Sequence, residues 1–207
     1  MGFFDAVREL FRDHTRDNLC AELQTLGVNA RMADRGRPEE DTGEGTSLGI
    51  IDIVGGSIPW VNVRKVTTSG GGYEDGDDSV TTCYTDYGVP VGYPTPNVTI
   101  KSARRKGFPL LGAVIDAEWS AEGSNPDAGV VADILRRLGE DATVRDAIMA
   151  TRDVKIIVGP HGPQREGRLG WVISTQTRAV PTRQAWDCYQ AIARHLIEAG
   201  REEPRTD

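Results

Sequence analysis

Apolar residues at the start of the chain recur at helical spacing. The apolar stripe consists of phenylalanine, valine and leucine side chains: Phe3, Phe4, Val7, Leu10, Phe11, Leu19, Leu23 and Leu26. Gly27 follows the stripe and is a natural residue to end a helix. The pattern predicts one amphipathic helix over residues 3–26, within an N-terminal segment 1–33, that packs on the rest of the protein or on a neighbouring molecule.

The next segment, residues 34–47, contains no apolar side chain and is rich in glycine and acidic residues. Such a composition cannot bury enough apolar surface to form a core. We therefore predict a flexible linker over residues 34–47 and a folded domain that begins at Leu48.

From Leu48 onwards the apolar pattern changes to that of strands. Residues 48–55 and 58–68 are rich in β-branched side chains, and Trp60, Asn62 and Arg64 alternate there with valines. Another strand ends near Asp86. The stretch from Asn97 to Trp119 is predicted to be a hairpin of two strands. An antiparallel meander is the simplest assembly of these strands.

The last third of the sequence has a helical pattern. A helix is predicted to begin at 125–127 and to end near Gly139; a short helix follows it, then two strands, then a last helix over 182–199. The sequence thus predicts an α+β domain over residues 48–199, in which helices of the C-terminal half cover one face of a mostly antiparallel sheet. Residues 200–207 are expected to be disordered.

Composition restricts the function more than it defines it. The 207 residues carry a net charge of −7, which argues against general nucleic-acid binding, because phosphate contacts require cations. The three cysteines and three histidines show no metal-ligand spacing, and we find no cofactor motif. Reduced cysteines and the absence of a leader sequence predict a cytoplasmic protein. Mixed charges on the polar face of the first helix argue against a membrane surface as its partner.

Two surface features indicate binding. Four cations, Lys101, Arg104, Arg105 and Lys106, are predicted to lie on the turn of the central hairpin, where they would bind an anion or would simply be solvated. Tyr84, Tyr87 and Tyr93 lie in or beside a proline-rich loop. This loop is predicted either to contact a protein or to fold over the sheet.

A catalytic alternative rests on carboxylates. Asp116 and Glu118 alternate on one strand and, with Asp52, would supply oxygen ligands for a metal; the simpler interpretation is the solvated face of a strand. Pro126-Asp127 with Asp153-Val154-Lys155 resembles the PD-(D/E)xK nuclease signature, which implies a metal-dependent nuclease. Asp127, however, is predicted to begin a helix and not to lie on a strand. We therefore assign no catalytic residue and no metal site.

These observations favour a non-catalytic cytoplasmic protein for binding or assembly, with a protein partner or a second copy of the chain. Its predicted contacts are the four-cation turn, the three tyrosines, and Phe3, Phe4, Val7 and Phe11 of the first helix. A metal-dependent phosphodiesterase or nuclease is the alternative, and a protein held at a membrane surface is the second alternative.

Overall fold

The structure, a computed structural model, describes residues 13–41, 44–69, 79–106, 114–150, 156–160, 170–176 and 181–200. Within these ranges eight strands form a single sheet accompanied by four α-helices. The strands are β1 (Ala30–Met32), β2 (Thr46–Ile53), β3 (Trp60–Ser69), β4 (Ser79–Pro90), β5 (Val98–Lys106), β6 (Val114–Gly123), β7 (Ile156–Pro160) and β8 (Gly170–Gln176). The helices are α1 (Thr15–Thr25), α2 (Gly129–Glu140), α3 (Ala142–Ala150) and α4 (Arg183–Ala199).

The order of the strands is β1-β2-β3-β4-β8-β7-β5-β6, and every neighbouring pair is antiparallel. The predicted meander is present as β2 to β4, with the unpredicted β1 added at its edge, and the predicted central hairpin is β5 paired with β6. The late strands β7 and β8 lie between these two units. The α+β fold predicted from the sequence is confirmed.

One face of the sheet is covered by helices. Six fully buried side chains form a row across six strands on this face: Ile51, Val61, Tyr87, Ile173, Val158 and Ile100. Side chains from every described helix, including Leu23, Ile134, Ile148 and Leu196, belong to the same core cluster as that row. Burial of apolar area by this layer is the main favourable contribution to the stability of the fold.

The opposite face carries the neighbouring row of side chains, because successive residues of a strand point to opposite faces. This row contains Ile50, Asn62, Asp86, Ser174, Ile157 and Lys101. We call it the helix-free face, since no described helix contributes to its small apolar cluster of Ile50, Trp60 and Val172.

The N-terminal part of the sheet begins earlier than the sequence pattern predicts. Helix α1 is the described helix of the predicted N-terminal helical segment. It packs on the domain through Leu19, Cys20 and Leu23. Strand β1 follows it and pairs with β2, which itself begins before the predicted boundary at Leu48. Of the predicted helix 3–26, residues 3–12 lie outside the described residues.

The segment predicted as a linker makes specific contacts in its described part. Pro38–Glu40 form one 3-10 turn, and Arg37 forms ion pairs with both Glu39 and Asp52 of β2. The side chain of Asn62 donates a hydrogen bond to the carbonyl of Glu39. Polar contacts therefore hold this segment against the helix-free face, where no apolar side chain was available to predict packing.

One helix boundary in the described part of the second half differs from the sequence pattern. Helix α2 begins at Gly129, with Ala128 before it, so the predicted start at residues 125–127 is a turn. Among the residues described, no helix is both long enough and apolar enough to cross a membrane.

Candidate functional site

The cations predicted to lie on the hairpin turn are part of strand β5. Lys101 forms an ion pair with Glu122 of β6, while Arg104 Nε donates a hydrogen bond of 2.9 Å to the carbonyl of Ile148, near the end of α3. Because they are three positions apart on a strand, Lys101 and Arg104 point to opposite faces of the sheet. These two cations do not form one patch, and the side chains of Arg105 and Lys106 lie outside the described part of the chain.

The three tyrosines predicted to contact a partner have different environments. Tyr87 is fully buried and packs against Trp186 and Tyr189, so it is not available for surface contact in this structure. The hydroxyl of Tyr93 donates to the carbonyl of Leu196 and accepts a hydrogen bond from Trp171 Nε1. Tyr87 is part of strand β4 and not of a loop, whereas the alternative of a loop folded over the sheet describes Tyr93.

Only the third tyrosine remains beside a partly open surface. Tyr84 is half-buried on the helix-free face, where the guanidinium of Arg64 lies 4.6 Å from the centroid of its ring. A cation over an aromatic face is attracted by the electrons of the ring. The predicted contact residues Phe3, Phe4, Val7 and Phe11 lie outside the residues that the structure describes.

The carboxylates of the catalytic alternative are separated by the order of the strands. Asp52 belongs to β2, near one edge of the sheet, whereas Asp116 and Glu118 belong to β6 at the opposite edge. Asp116 instead forms an ion pair with Arg145 of α3. The described residues include no group of three or more histidine, cysteine, aspartate or glutamate side chains that could hold a metal ion. Asp153 and Lys155 lie outside those residues.

The most concentrated polar arrangement on the helix-free face was not predicted. Its centre is an ion pair between Arg64 of β3 and Asp86 of β4, with 2.5 Å between Arg64 Nε and Asp86 Oδ2. Their side chains are 12% and 2% exposed, respectively. The other carboxylate oxygen of Asp86 accepts a hydrogen bond of 2.6 Å from the hydroxyl of Ser174 on β8. Both oxygens of this buried carboxylate are thus satisfied, as burial of a charge requires.

The register of the strands explains why these side chains meet. Asn62 lies opposite Asp86, and Asp86 lies opposite Ser174, while Arg64 is two positions beyond Asn62 on the same face. Diagonal neighbours in an antiparallel pair are within reach of long side chains. Arg64 therefore reaches Asp86 across the ladder.

A second group of polar contacts joins this centre to the segment before β2. The hydroxyl of Ser47 donates a hydrogen bond of 2.7 Å to Asn62 Oδ1, and Asn62 Nδ2 donates a hydrogen bond to the carbonyl of Glu39. Glu44 lies close to Arg64, with 4.0 Å between its carboxylate and Arg64 Nη1. Although Arg64 Nη1 is buried, it has no hydrogen-bond acceptor among the described residues. The site can therefore still donate a hydrogen bond to an acceptor that reaches it.

A histidine–carboxylate pair lies on the other side of the sheet. His195 Nε2 of α4 is 2.7 Å from Asp141 Oδ2, and Asp141 also accepts hydrogen bonds from the backbone of Thr143 and Val144 at the start of α3. Burial raises the pKa of Asp141, but these hydrogen bonds, led by that of His195, outweigh it and lower the pKa. One carboxylate thus caps α3 and connects it to α4.

A nucleophilic role for the neighbouring cysteine has no support in the structure. Burial, together with the charge of Asp141, raises the pKa of Cys188 to about 12, so its thiol stays protonated at neutral pH. Cys188 is 1% exposed. The pair of His195 and Asp141 is therefore best described as a polar contact that connects α4 to the start of α3.

Comparisons with known proteins give no relative for this chain. It matches no protein family, and neither a curated protein nor a solved structure is significantly similar to it. Any proposed function must therefore rest on the geometry of the residues of this chain.

The sequence contained part of the signal for the Arg64–Asp86 centre. The alternation of Asn62 and Arg64 with Val61 and Val63 predicts that the two polar side chains share a face. What the sequence lacked was the register that places Asp86 opposite Asn62, which depends on how β3 and β4 pair. The contact of Ser174 with Asp86 was harder to predict, because β8 and β4 are far apart in the sequence and meet only by pairing in the sheet.

Proposed function

We propose that the protein is a non-catalytic binding or assembly protein, and that its helix-free face contacts a protein partner or a second copy of the chain. The observation that carries the proposal is the buried Arg64–Asp86 pair at the centre of a sheet face to whose apolar cluster no described α-helix contributes. A desolvated ion pair contributes little net stability compared with apolar packing, so its position favours a role in recognition.

The surroundings of this pair resemble the anatomy of a protein interface. Tyr84 and Arg64, residue types that are enriched at binding hot spots, are in contact at the centre. Ile157 lies three strands from Asn62 in the same row and is only half-buried. An apolar side chain, an aromatic ring and an arginine on one face provide both contact area and direction for a partner.

The proposal is tested by adding one charge to each face of the molecule. Ile157→Glu places a carboxylate on the helix-free face, and Ala132→Glu places one on an exposed position of α2 as the matched control. Light scattering on the purified proteins would measure self-association, and affinity purification from the native source would measure a retained partner. We expect the Ile157→Glu variant to lose the association and the Ala132→Glu variant to retain it.

Two results would contradict this function. The first is that the wild-type protein is monomeric and retains no partner. Equal loss in both variants would place the contact away from the helix-free face, or would show that added charge acts generally.

The catalytic alternative gains no support from the geometry of the described carboxylates. It is tested separately by adding Mg²⁺ or Mn²⁺ and measuring the melting temperature and the integrity of DNA and RNA. A metal-dependent rise in melting temperature together with cleavage would replace the binding function by a nuclease function.

A further inference from the structure

We propose that Arg64 forms a binding site for an oxyanion on the helix-free face, and that the carboxylate of Glu44 is an internal competitor for this site. The proposal rests on the binding function above, because it names the chemical group that the partner would present. The ligand class is a carboxylate or a phosphate, whose planar or tetrahedral oxygens suit the donor geometry of a guanidinium.

The hydrogen bonding of Arg64 is incomplete. Its Nε donates to Asp86 Oδ2, whereas Nη1 is buried and has no hydrogen-bond acceptor among the described residues. A buried donor without an acceptor costs free energy relative to one that is paired. An oxyanion that binds at Nη1 would remove this cost.

The position beside Arg64 Nη1 already accommodates a negative group. Glu44 Oε2 lies 4.0 Å from Arg64 Nη1, which is beyond the usual hydrogen-bond distance. The Glu44 side chain is 71% exposed, whereas that of Arg64 is 12% exposed. A carboxylate from a partner that displaces the exposed Glu44 side chain toward solvent would take a position that already accommodates a negative charge, and it would close the hydrogen bond.

Neighbouring residues fix the guanidinium of Arg64 in place. Ser174 holds one oxygen of Asp86 while Arg64 takes the other, and the ring of Tyr84 lies beside the guanidinium at 4.6 Å. A donor that is already ordered loses little conformational entropy when it binds.

The backbone beside Glu44 is also constrained. Gly45 has a φ of +79°, and a Cβ atom at this position would be 2.4 Å from the carbonyl oxygen of Lys65. This close approach holds the backbone next to Glu44 against β3, the strand that carries Arg64. The competing carboxylate therefore stays near the site.

Titration of the full-length protein with acetate and with inorganic phosphate tests the proposal. Chloride is exchanged at constant ionic strength, and binding is followed by NMR on the backbone amides and on the arginine Nε–H groups. Glu44→Gln removes the competing charge from an exposed side chain. We expect it to tighten binding about fivefold, the effect of one charge at this distance near water.

Two further variants complete the design. Arg64→Lys keeps the charge but loses the planar donor, so binding should fall below detection even in combination with Glu44→Gln. Glu118→Gln removes an exposed carboxylate from β6, at the opposite edge of the sheet, and is the matched control that should leave binding unchanged. Tighter binding of acetate would assign a carboxylate as the ligand group, and tighter binding of phosphate would assign a phosphate.

The proposal is overturned if Glu44→Gln binds neither anion more tightly than the wild type does, or if Glu118→Gln has the same effect as Glu44→Gln. Glu44→Gln alone decides this, so a failure of Arg64→Lys to fold would not obscure the result. Because the anions are added to the isolated protein, loss of this site and loss of a protein partner are measured separately.

Discussion

Two rows of side chains, one residue apart in every strand, give the two faces of the sheet opposite characters. On the helix-covered face the row from Ile51 to Ile100 is entirely buried, and Tyr87 is its one member with a polar atom. On the helix-free face the parallel row has Asn62, Asp86 and Ser174 at its centre. The same backbone ladder therefore supports a hydrophobic core on one side and a polar network on the other.

The difference shows which interactions keep each face in place. Each apolar side chain of the first row contributes roughly 1.5–3 kcal/mol by leaving water. The second row buries an aspartate, whose charge must be compensated by Arg64 and Ser174. We expect truncations on the helix-covered face to create cavities, whereas changes on the helix-free face leave charges or polar groups unpaired.

The largest effect is expected from Asp86→Ala, which would leave the guanidinium of Arg64 largely buried without its partner. Removal of one member of a buried ion pair costs about 3–5 kcal/mol. Urea unfolding monitored by circular dichroism would measure the change in the free energy of unfolding.

The double variant Arg64→Met with Asp86→Leu is the control for that prediction. Replacing the whole pair by apolar groups should return most of the stability, because neither charge remains buried alone. If the single and the double variants lose the same stability, the pair is not the source of the cost and the contrast between the two faces fails.

A somewhat smaller effect is expected from Leu196→Ala on the helix-covered face. Leu196 of α4 is fully buried in the core that covers the sheet, and a leucine-to-alanine change at such a site costs about 3 kcal/mol. Ile157→Ala is the comparison on the helix-free face, where the side chain is half-buried and the loss should be about 1 kcal/mol. Equal losses at the two positions would mean that the helix-free face is as well covered as the other.

Glycines in one row of the helix-free face allow a sharper comparison. A Cβ atom at Gly88 would lie 1.9 Å from the ring of Trp60, whereas a Cβ atom at Gly159 would have no neighbour within 4 Å. Both glycines lie opposite Val172 in the sheet. Gly88→Ala should therefore destabilise the protein by about 1–3 kcal/mol through overpacking, and Gly159→Ala should change its melting temperature little. Similar melting temperatures for both variants would show that Trp60 can move away from β4.

Sequence reasoning predicted what depends on local periodicity. The sharing of a face by Asn62 and Arg64 and the hairpin of β5 with β6 follow from alternation and turn residues within a few positions. The sequence pattern did not predict that Asp86 meets Arg64, because that contact depends on the register between β3 and β4, which local periodicity does not define.

Two other differences have the same kind of cause. Strand β1 was missed because its short apolar alternation, Val28, Ala30 and Met32, was included in the predicted N-terminal helical segment. The contacts of Arg37 were missed because ion pairs hold its segment, in which no apolar pattern predicts packing. Lys101 and Arg104 were assigned to one basic turn because they are close in sequence. On a strand, residues at odd spacing point to opposite faces, so closeness in sequence did not mean closeness in space.

The smallest predicted effect concerns the ion pair that joins the start of α1 to the helix-covered face. Asp13, just before α1, pairs with Lys65 of β3. Burial acts to raise the pKa of Asp13, but hydrogen bonds from Lys65 and Thr15 outweigh it and lower the pKa from 3.8 to about 2.

Because the pKa of Asp13 is lower in the folded protein, the pair stabilises the fold at pH above about 4, and this contribution is lost as the pH falls toward about 2. The pKa of Lys65 is raised, chiefly by the hydrogen bond with Asp13, so the same contribution is also lost at strongly alkaline pH. Asp13→Asn should therefore reduce the free energy of unfolding by about 0.2–1 kcal/mol at pH 7, the range for partly exposed pairs, and by only a small part of that at pH 2, where about half of Asp13 is protonated in the folded protein. Other carboxylates also lose stabilising contacts in acid, so the measured quantity is the difference between wild type and Asp13→Asn at each pH. A difference that stays constant from pH 7 to pH 2 would show that this ion pair does not hold α1 on the sheet, and that apolar contacts of Leu19 and Leu23 are sufficient.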